Sequence, residues 1–226
     1  MSTFVVSQDC IELGLRAGAL ILRNVQITRS SPEQRQTIDD LARQVGAQFS
    51  TPAEVRGLPE LVKLYEILRQ VGLRPRSHPP STQRLLEFAL KQGILPSVNN
   101  LVDAYNLISV QSKCSLGAHD LDQLRLPVQL RLFCGNERFR PLGGDEETWA
   151  NRGEFGYIDS SDRVICRLDS EQADFSRVTE RTSNVLLIIE STTVHKAQQL
   201  ERVFADTVAM VTRYCGGIAE TAALPY

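Results

Sequence analysis

Apolar residues recur along the first half of the chain at spacings of three and four, which predicts a run of amphipathic helices. Pro32, just after Ser30 and Ser31, is a good helix start, and Ile38, Leu41 and Val45 follow on one face. A second helix is expected from Pro59, with Leu61, Leu64, Tyr65 and Leu68 as its buried face and Gly72 at its end. The loop RPRSHPPS leads into a third, with Ser81 as N-cap, Leu85, Leu86, Phe88 and Ala89 on its apolar side, and Gly93 closing it. In the fourth, SVNNLVDAYNLISVQ, Ser97 caps and Val98, Leu101, Val102, Tyr105 and Ile108 form the stripe.

Two short Val/Ile/Leu-rich stretches precede these helices, at residues 3–7 and about 18–27, and read as strands. Beyond residue 125 the period changes. PVQLRLFCG, ERFRPLGG, EFGYIDSSDRVICRL and NVLLIIES are strand-like and are separated by turn-forming Gly, Asn, Asp and Ser. The last segment returns to helical spacing through Leu200, Val203, Phe204, Val208 and Val211, and Gly216–Gly217 stop it. With no repeat, low-complexity tract or long linker, the expected architecture is one α+β domain whose helices pack on the strands.

Composition narrows the function classes. An apolar fraction of 42% with 23% charged residues is that of a chain with a packed core. The formal net charge of −2 sets a limit on nucleic-acid binding, because phosphate contacts need a basic surface, so any basic patch must be local. Five cysteines without a Cys-x-x-Cys pair point to reduced thiols rather than a disulfide framework or a zinc site. MSTFVVSQDC lacks a basic leader with an apolar core, and Val185–Ile189 is too short to span a bilayer, so a cytoplasmic protein without a membrane segment is expected.

The common catalytic signatures are absent, and the three histidines have no metal-ligand spacing. Four polar clusters remain. Asn99, Asp103 and Asn106 fall on one face of the fourth helix, either lining a polar pocket or forming a solvated face near the cap. In SLGAHDLDQL, His119 with Asp120 and Asp122 supplies either an acid or base beside charge partners or a turn with capping aspartates. Arg74, Arg76 and His78 form an anion site or a rigid connector with solvated charges. Glu190 is a carboxylate held at the mouth of the sheet, or the first solvated residue after a buried run.

The order of these elements carries more information than any one of them. LPSVNNLVDAYNLISVQSKCSLGAHDLDQL resembles the core signature of the B3/B4 domain, the editing and tRNA-associated module of the bacterial phenylalanyl-tRNA synthetase beta chain. Val102, Asp103 and Asn106 match its Val-Asp-x-x-Asn helix, and Ala118, Asp120, Leu121 and Asp122 match its Ala-x-Asp-Leu-Asp segment. Ser176, Val178 and Thr182 match a later stretch, and PLGG a glycine-rich turn, so the resemblance covers about residues 75–192. Residues 1–74 and the helix at 195–215 are then extensions packed on that core, as in free-standing relatives.

The resemblance implies a single B3/B4-like α+β domain with a mixed or antiparallel sheet packed by helices. It also implies a trans-acting aminoacyl-tRNA deacylase, in which an oriented water cleaves the ester of a mischarged tRNA without metal or cofactor. The partners would be that tRNA and its amino acid moiety, with no membrane and no DNA. Asn106 takes the place of a family pocket asparagine. The family histidine falls on Gly117, with His119 two residues on; the family glutamate falls on Ile188, with Glu190 two residues on; and a family glycine falls near Gln172. Two-residue offsets keep strand parity, so His119 and Glu190 can stand in. The implied catalytic set is Asn106, His119 and Glu190, with Asn99, Asp103, Gly117 and Asp120 holding substrate and Arg74, Arg76 and His78 holding tRNA. The alternative is a non-catalytic amino-acid- or tRNA-binding module derived from the editing domain. Either requires the asparagine helix and the segment after it to wall one hollow closed by the late sheet.

Overall fold

The computed structural model describes residues 3–224. Two sheets lie face to face, and helices cover the outer face of one of them. The first sheet is antiparallel, in the order β11 (Ile218–Ala223), β2 (Leu15–Arg23), β10 (Val185–Thr192) and β3 (Ser115–Asp120). The second has the order β1 (Phe4–Val6), β4 (Val128–Leu132), β7 (Phe155–Ile158), β8 (Val164–Arg167) and β9 (Glu171–Gln172). Its β1–β4 pair is parallel and its other pairs are antiparallel. A two-strand ribbon, β5 (Arg138–Phe139) with β6 (Thr148–Trp149), flanks this second sheet.

β10 explains why its sequence is apolar on both parities. It lies between β2 and β3, with the second sheet on one face and helices on the other, and all eight of its residues are buried. Leu186 and Ile188 join a core with Leu130, Phe155 and Ile165 of the second sheet. Val185, Leu187 and Ile189 join a separate core with Leu101, Ala104, Tyr105 and Ile108 of α6 (Asn100–Ser112) and Leu200, Val203 and Phe204 of α7 (Ala197–Cys215). Each Val, Leu, Ile or Phe among them, fully removed from water, contributes about 1.5–3 kcal/mol.

A third core is mainly helical. It brings α2 (Pro32–Gln48), α3 (Pro52–Arg56), α4 (Pro59–Gln70) and α5 (Ser81–Gln92) against the Leu107 and Val110 side of α6. α2 starts as expected, with Pro32 in its first turn and the Ser31 hydroxyl accepting from Gln34 N.

Several boundaries differ from the sequence expectation, each for a local reason. The strand expected at about 18–27 begins at Leu15 and ends at Arg23, where Asn24 turns left-handed with φ 57°. A six-residue helix, α1 (Gln8–Leu13), precedes it, capped by Ser7 and ended by Gly14 at φ 96°. ERFRPLGG yields only the two residues of β5, since Pro141 and the turn at Gly143, φ 75°, interrupt the ladder. β11 follows the expected Gly216–Gly217 stop and pairs with β2. α5 has Pro80 rather than Ser81 at its cap position, and α6 is capped by Asn99 rather than Ser97.

Candidate active site between the two sheets

The strand registers decide which polar residues meet. In the β3–β10 pair, His119 lies opposite Leu186, Gly117 opposite Ile188 and Ser115 opposite Glu190. Side chains alternate across a strand, so these six share the face turned to the second sheet. There all of them but Leu186 meet Tyr157 of β7, Cys166 of β8 and Asp169 just beyond it around a cavity of about 30 Å³. That is space for one or two water molecules.

Glu190 occupies a core-facing position and is only 4% exposed. Its Oε2 accepts from the Tyr157 hydroxyl, while Oε1 is buried without a partner. Burial, together with the neighbouring Asp169 carboxylate, pushes its pKa up to about 8, against the lowering effect of the Tyr157 bond. Asp169 Oδ2 accepts from Ser115 Oγ at 2.7 Å, Ser81 N at 2.9 Å and Ser81 Oγ at 3.2 Å. Burial raises this carboxyl as well, partly offset by the same bonds. Two carboxyls resisting ionisation beside one cavity form an environment that favours an incoming cation.

His119, 3% exposed, places Nδ1 3.0 Å from Ser176 Oγ, and burial lowers its pKa to about 4. It is therefore a neutral imidazole near pH 7, able to orient a water or a carbonyl but carrying no charge. Gly117 matters through what it lacks: a Cβ built there meets nothing within 4 Å. Gln172 of β9 ties the two sheets together, its Nε2 donating to the Ala118 carbonyl at 2.9 Å. A second, smaller cavity of about 10 Å³ shares Ser115 and Glu190 with the first and also meets Glu60, Lys113, Ser191 and His195.

Not every residue singled out in the sequence reaches this place. The expectation that the asparagine helix walls the hollow is corrected by the sheet itself. α6 packs on the face of β3 and β10 that carries Leu116, Ala118, Leu187 and Ile189, opposite the cavity. Asn106 is half-buried on that helix, separated from His119 and Glu190 by the sheet. Asn99 is spent on capping, accepting from Val102 N at 2.9 Å. Asp103 holds the entry to the helix, accepting from Ser30 Oγ, Ser97 Oγ and Val98 N. Asp120 has the turn role: its carboxylate accepts from Asp122 N and Thr182 Oγ1. The neighbouring Asn100, not singled out in the sequence, ties α6 to Thr28 N, the Gln26 carbonyl and the Tyr214 carbonyl.

Arg74 and Arg76 are exposed in the loop before α5, and His78 is half-buried there with Nδ1 3.7 Å from Glu171 Oε1, beyond hydrogen-bond range. The loop ends at the cavity, because Ser81 is the residue that binds Asp169. Sequence reasoning missed Ser115, Tyr157 and Asp169. Ser115 has the parity of Gly117 and His119 and was open to discovery, whereas Tyr157 and Asp169 needed the sheet packing.

The B3/4 domain model matches residues 65–216. The chain belongs to the B3/4 domain family. The matched stretch begins within α4 and takes in α7, the helix expected to lie outside the motif-bearing core. An N-terminal fragment of the phenylalanyl-tRNA synthetase beta-subunit from Pyrococcus horikoshii has a similar fold, with a TM-score of 0.52 at 14% identity. The alignment covers 96% of this chain and 50% of that fragment, so this B3/4 protein spans half the length of the solved relative. The comparison with curated proteins finds no match. Among the described residues of the B3/4 protein no helix is long and apolar enough to cross a membrane, and no cluster of three or more His, Cys, Asp or Glu could hold a metal ion.

Proposed function

We propose that this B3/4 protein is an aminoacyl-tRNA deacylase whose reaction takes place at the inter-sheet cavity. The observation that carries the reading is the convergence of His119, Ser115 and Glu190 on one cavity, kept open by Gly117. An aminoacyl ester is already activated, so its cleavage needs a held substrate and an oriented water more than a strong nucleophile. The neutral His119 ring would orient that water, and the polar wall of Ser115, Asp169 and Glu190 would fix the acyl group. The exposed Arg74 and Arg76, in the loop that runs into Ser81, support a local phosphate contact despite the net charge of −2.

The test is a panel of mischarged tRNAs, assayed for release of amino acid by the wild type and His119→Ala at matched folding. Release well above the uncatalysed rate, lowered by about 100-fold or more in the variant, is expected for a group that orients the attacking water. No release from any charged tRNA would overturn the proposal.

A second reading is a non-catalytic amino-acid- or tRNA-binding module, favoured by the net charge of −2. It predicts thermal stabilisation by a ligand, about 3 kcal/mol at a hundredfold excess over Kd, with no turnover of the corresponding charged tRNA.

A further inference from the structure

We infer that the inter-sheet cavity is a receptor for a primary ammonium group, the free α-amino end of an amino acid, with Glu190 and Asp169 as its counter-charge. The inference rests on the deacylase reading only for the name of the ligand that brings the ammonium. Three acceptors line one wall: the Glu190 carboxyl, the Asp169 carboxyl and the Ser115 hydroxyl. An ammonium offers three N–H donors and no acceptor, which matches that wall in number and kind. A water or a substrate hydroxyl carries no positive charge with which to stabilise the ionised form of these buried carboxyls.

One Glu190 oxygen is left over by the fold. This Oε1 is buried with no hydrogen-bond partner, a costly state that persists where something other than the chain completes it. The chain's own cation nearby does not do so. Lys113 lines the neighbouring cavity, but its Nζ donates to the Val110 carbonyl. The size agrees, since about 30 Å³ suits a group as large as water and not an aromatic ring. Recognition of the amino end would make the site selective for acyl groups with a free amine and indifferent to those with the nitrogen blocked.

Arrival of a cation also favours the ionised carboxyl, so binding should release a proton from Glu190 near neutral pH. The groups that bear on Glu190 are Tyr157 from β7, Cys166 from β8, Asp169, His119 and Cys114 from β3 and its entry, and Cys10 from α1. Glu60 of α4, Lys113 and His195 face it across the smaller cavity. Of these, Asp169 shares its charge sign and cavity and is the other group whose proton the ammonium would loosen.

The experiment is calorimetric titration of the full chain with alaninamide, which keeps the ammonium and replaces the ester by an uncharged amide, and with N-acetylalaninamide, which has no ammonium. Expected are binding of alaninamide with proton release, measured at pH 7 in two buffers of different ionisation enthalpy, and at least tenfold weaker binding of the acetylated probe. Glu190→Gln should weaken alaninamide binding at least tenfold. Gly117→Ala, which fills the cavity without touching a charge, should do the same and stands in if the first variant misfolds. Equal binding of the two probes, no binding of alaninamide, or binding unaltered in both variants would overturn the inference. A chain that binds alaninamide through Glu190 yet hydrolyses no charged tRNA would keep the ammonium site and lose the deacylase reading. Hydrolysis of charged tRNA together with equal affinity for the two probes would remove the ammonium site alone.

Discussion

The phenol of Tyr157, on the central strand of one sheet, donates to Oε2 of Glu190, on a central strand of the other. This bond crosses the apolar layer between the sheets and fixes the Glu190 carboxyl at a core-facing position of β10. Tyr157→Phe removes the donor and leaves both Glu190 oxygens unpartnered. A loss of about 1–3 kcal/mol in denaturant unfolding is expected, since a buried acceptor is then left unmade. A change below about 0.5 kcal/mol would mean that the contact does not hold the sheets together.

Glu190 also makes stability depend on pH, with a definite sign. Its folded pKa of about 8 lies above that of an unfolded glutamate, so the native state binds more protons than the unfolded one between the two values. The contribution is complete below about pH 4 and is lost as the pH rises towards 8. Glu190→Gln stays neutral throughout. The stability of this variant relative to wild type should therefore climb by on the order of a few kcal/mol between about pH 4 and 8 and then level. His119, whose pKa is lowered, acts in the opposite sense below about pH 6.5 but is common to both proteins and cancels. A flat difference across that range would show that Glu190 is ionised in the fold.

Gly117→Ala separates space from chemistry. The added methyl meets open space and no strained backbone, so stability should stay within about 1 kcal/mol of wild type. Deacylation should fall sharply, because the methyl occupies room that the acyl group or water needs. Full activity in a well-folded Gly117→Ala protein would move the reaction away from this cavity.

Asp103 and Asn106 sit on the same helix and should behave differently. Asp103→Ala strands Ser30, Ser97 and the Val98 N–H, and a loss of about 3 kcal/mol by thermal or denaturant unfolding is expected. Asn106→Ala should leave deacylation within about twofold of wild type and stability within about 0.5 kcal/mol, because its side chain makes no hydrogen bond among the described residues and the sheet separates it from the cavity. A large loss of activity in Asn106→Ala would restore the catalytic role that the motif resemblance implied.

Much of the architecture was legible from local pattern. Five long helices could be read from three-four spacing, proline starts and glycine stops, because burial of one helical stripe is a local and repeated demand. β10 could be read from its continuous apolar run, which only a strand covered on both faces requires. The Ala-x-Asp-Leu-Asp and Val-Asp-x-x-Asn motifs identified the family, although the residues within them serve mainly to cap and fasten the elements they begin: Asp103 anchors α6 and Asp120 its turn.

By itself, then, the sequence determined the five long helices, the central strand, the family and the parity that brings His119 and Gly117 to one face of an extended segment. Which side that was, and what stood opposite, only the tertiary structure decided. Parity is a property of a single chain segment, whereas a cavity is made by segments far apart in sequence. Tyr157 and Asp169 meet Glu190 because β7 and β8 lie in the facing sheet, and Asn106 is excluded because β3 and β10 stand between α6 and the cavity.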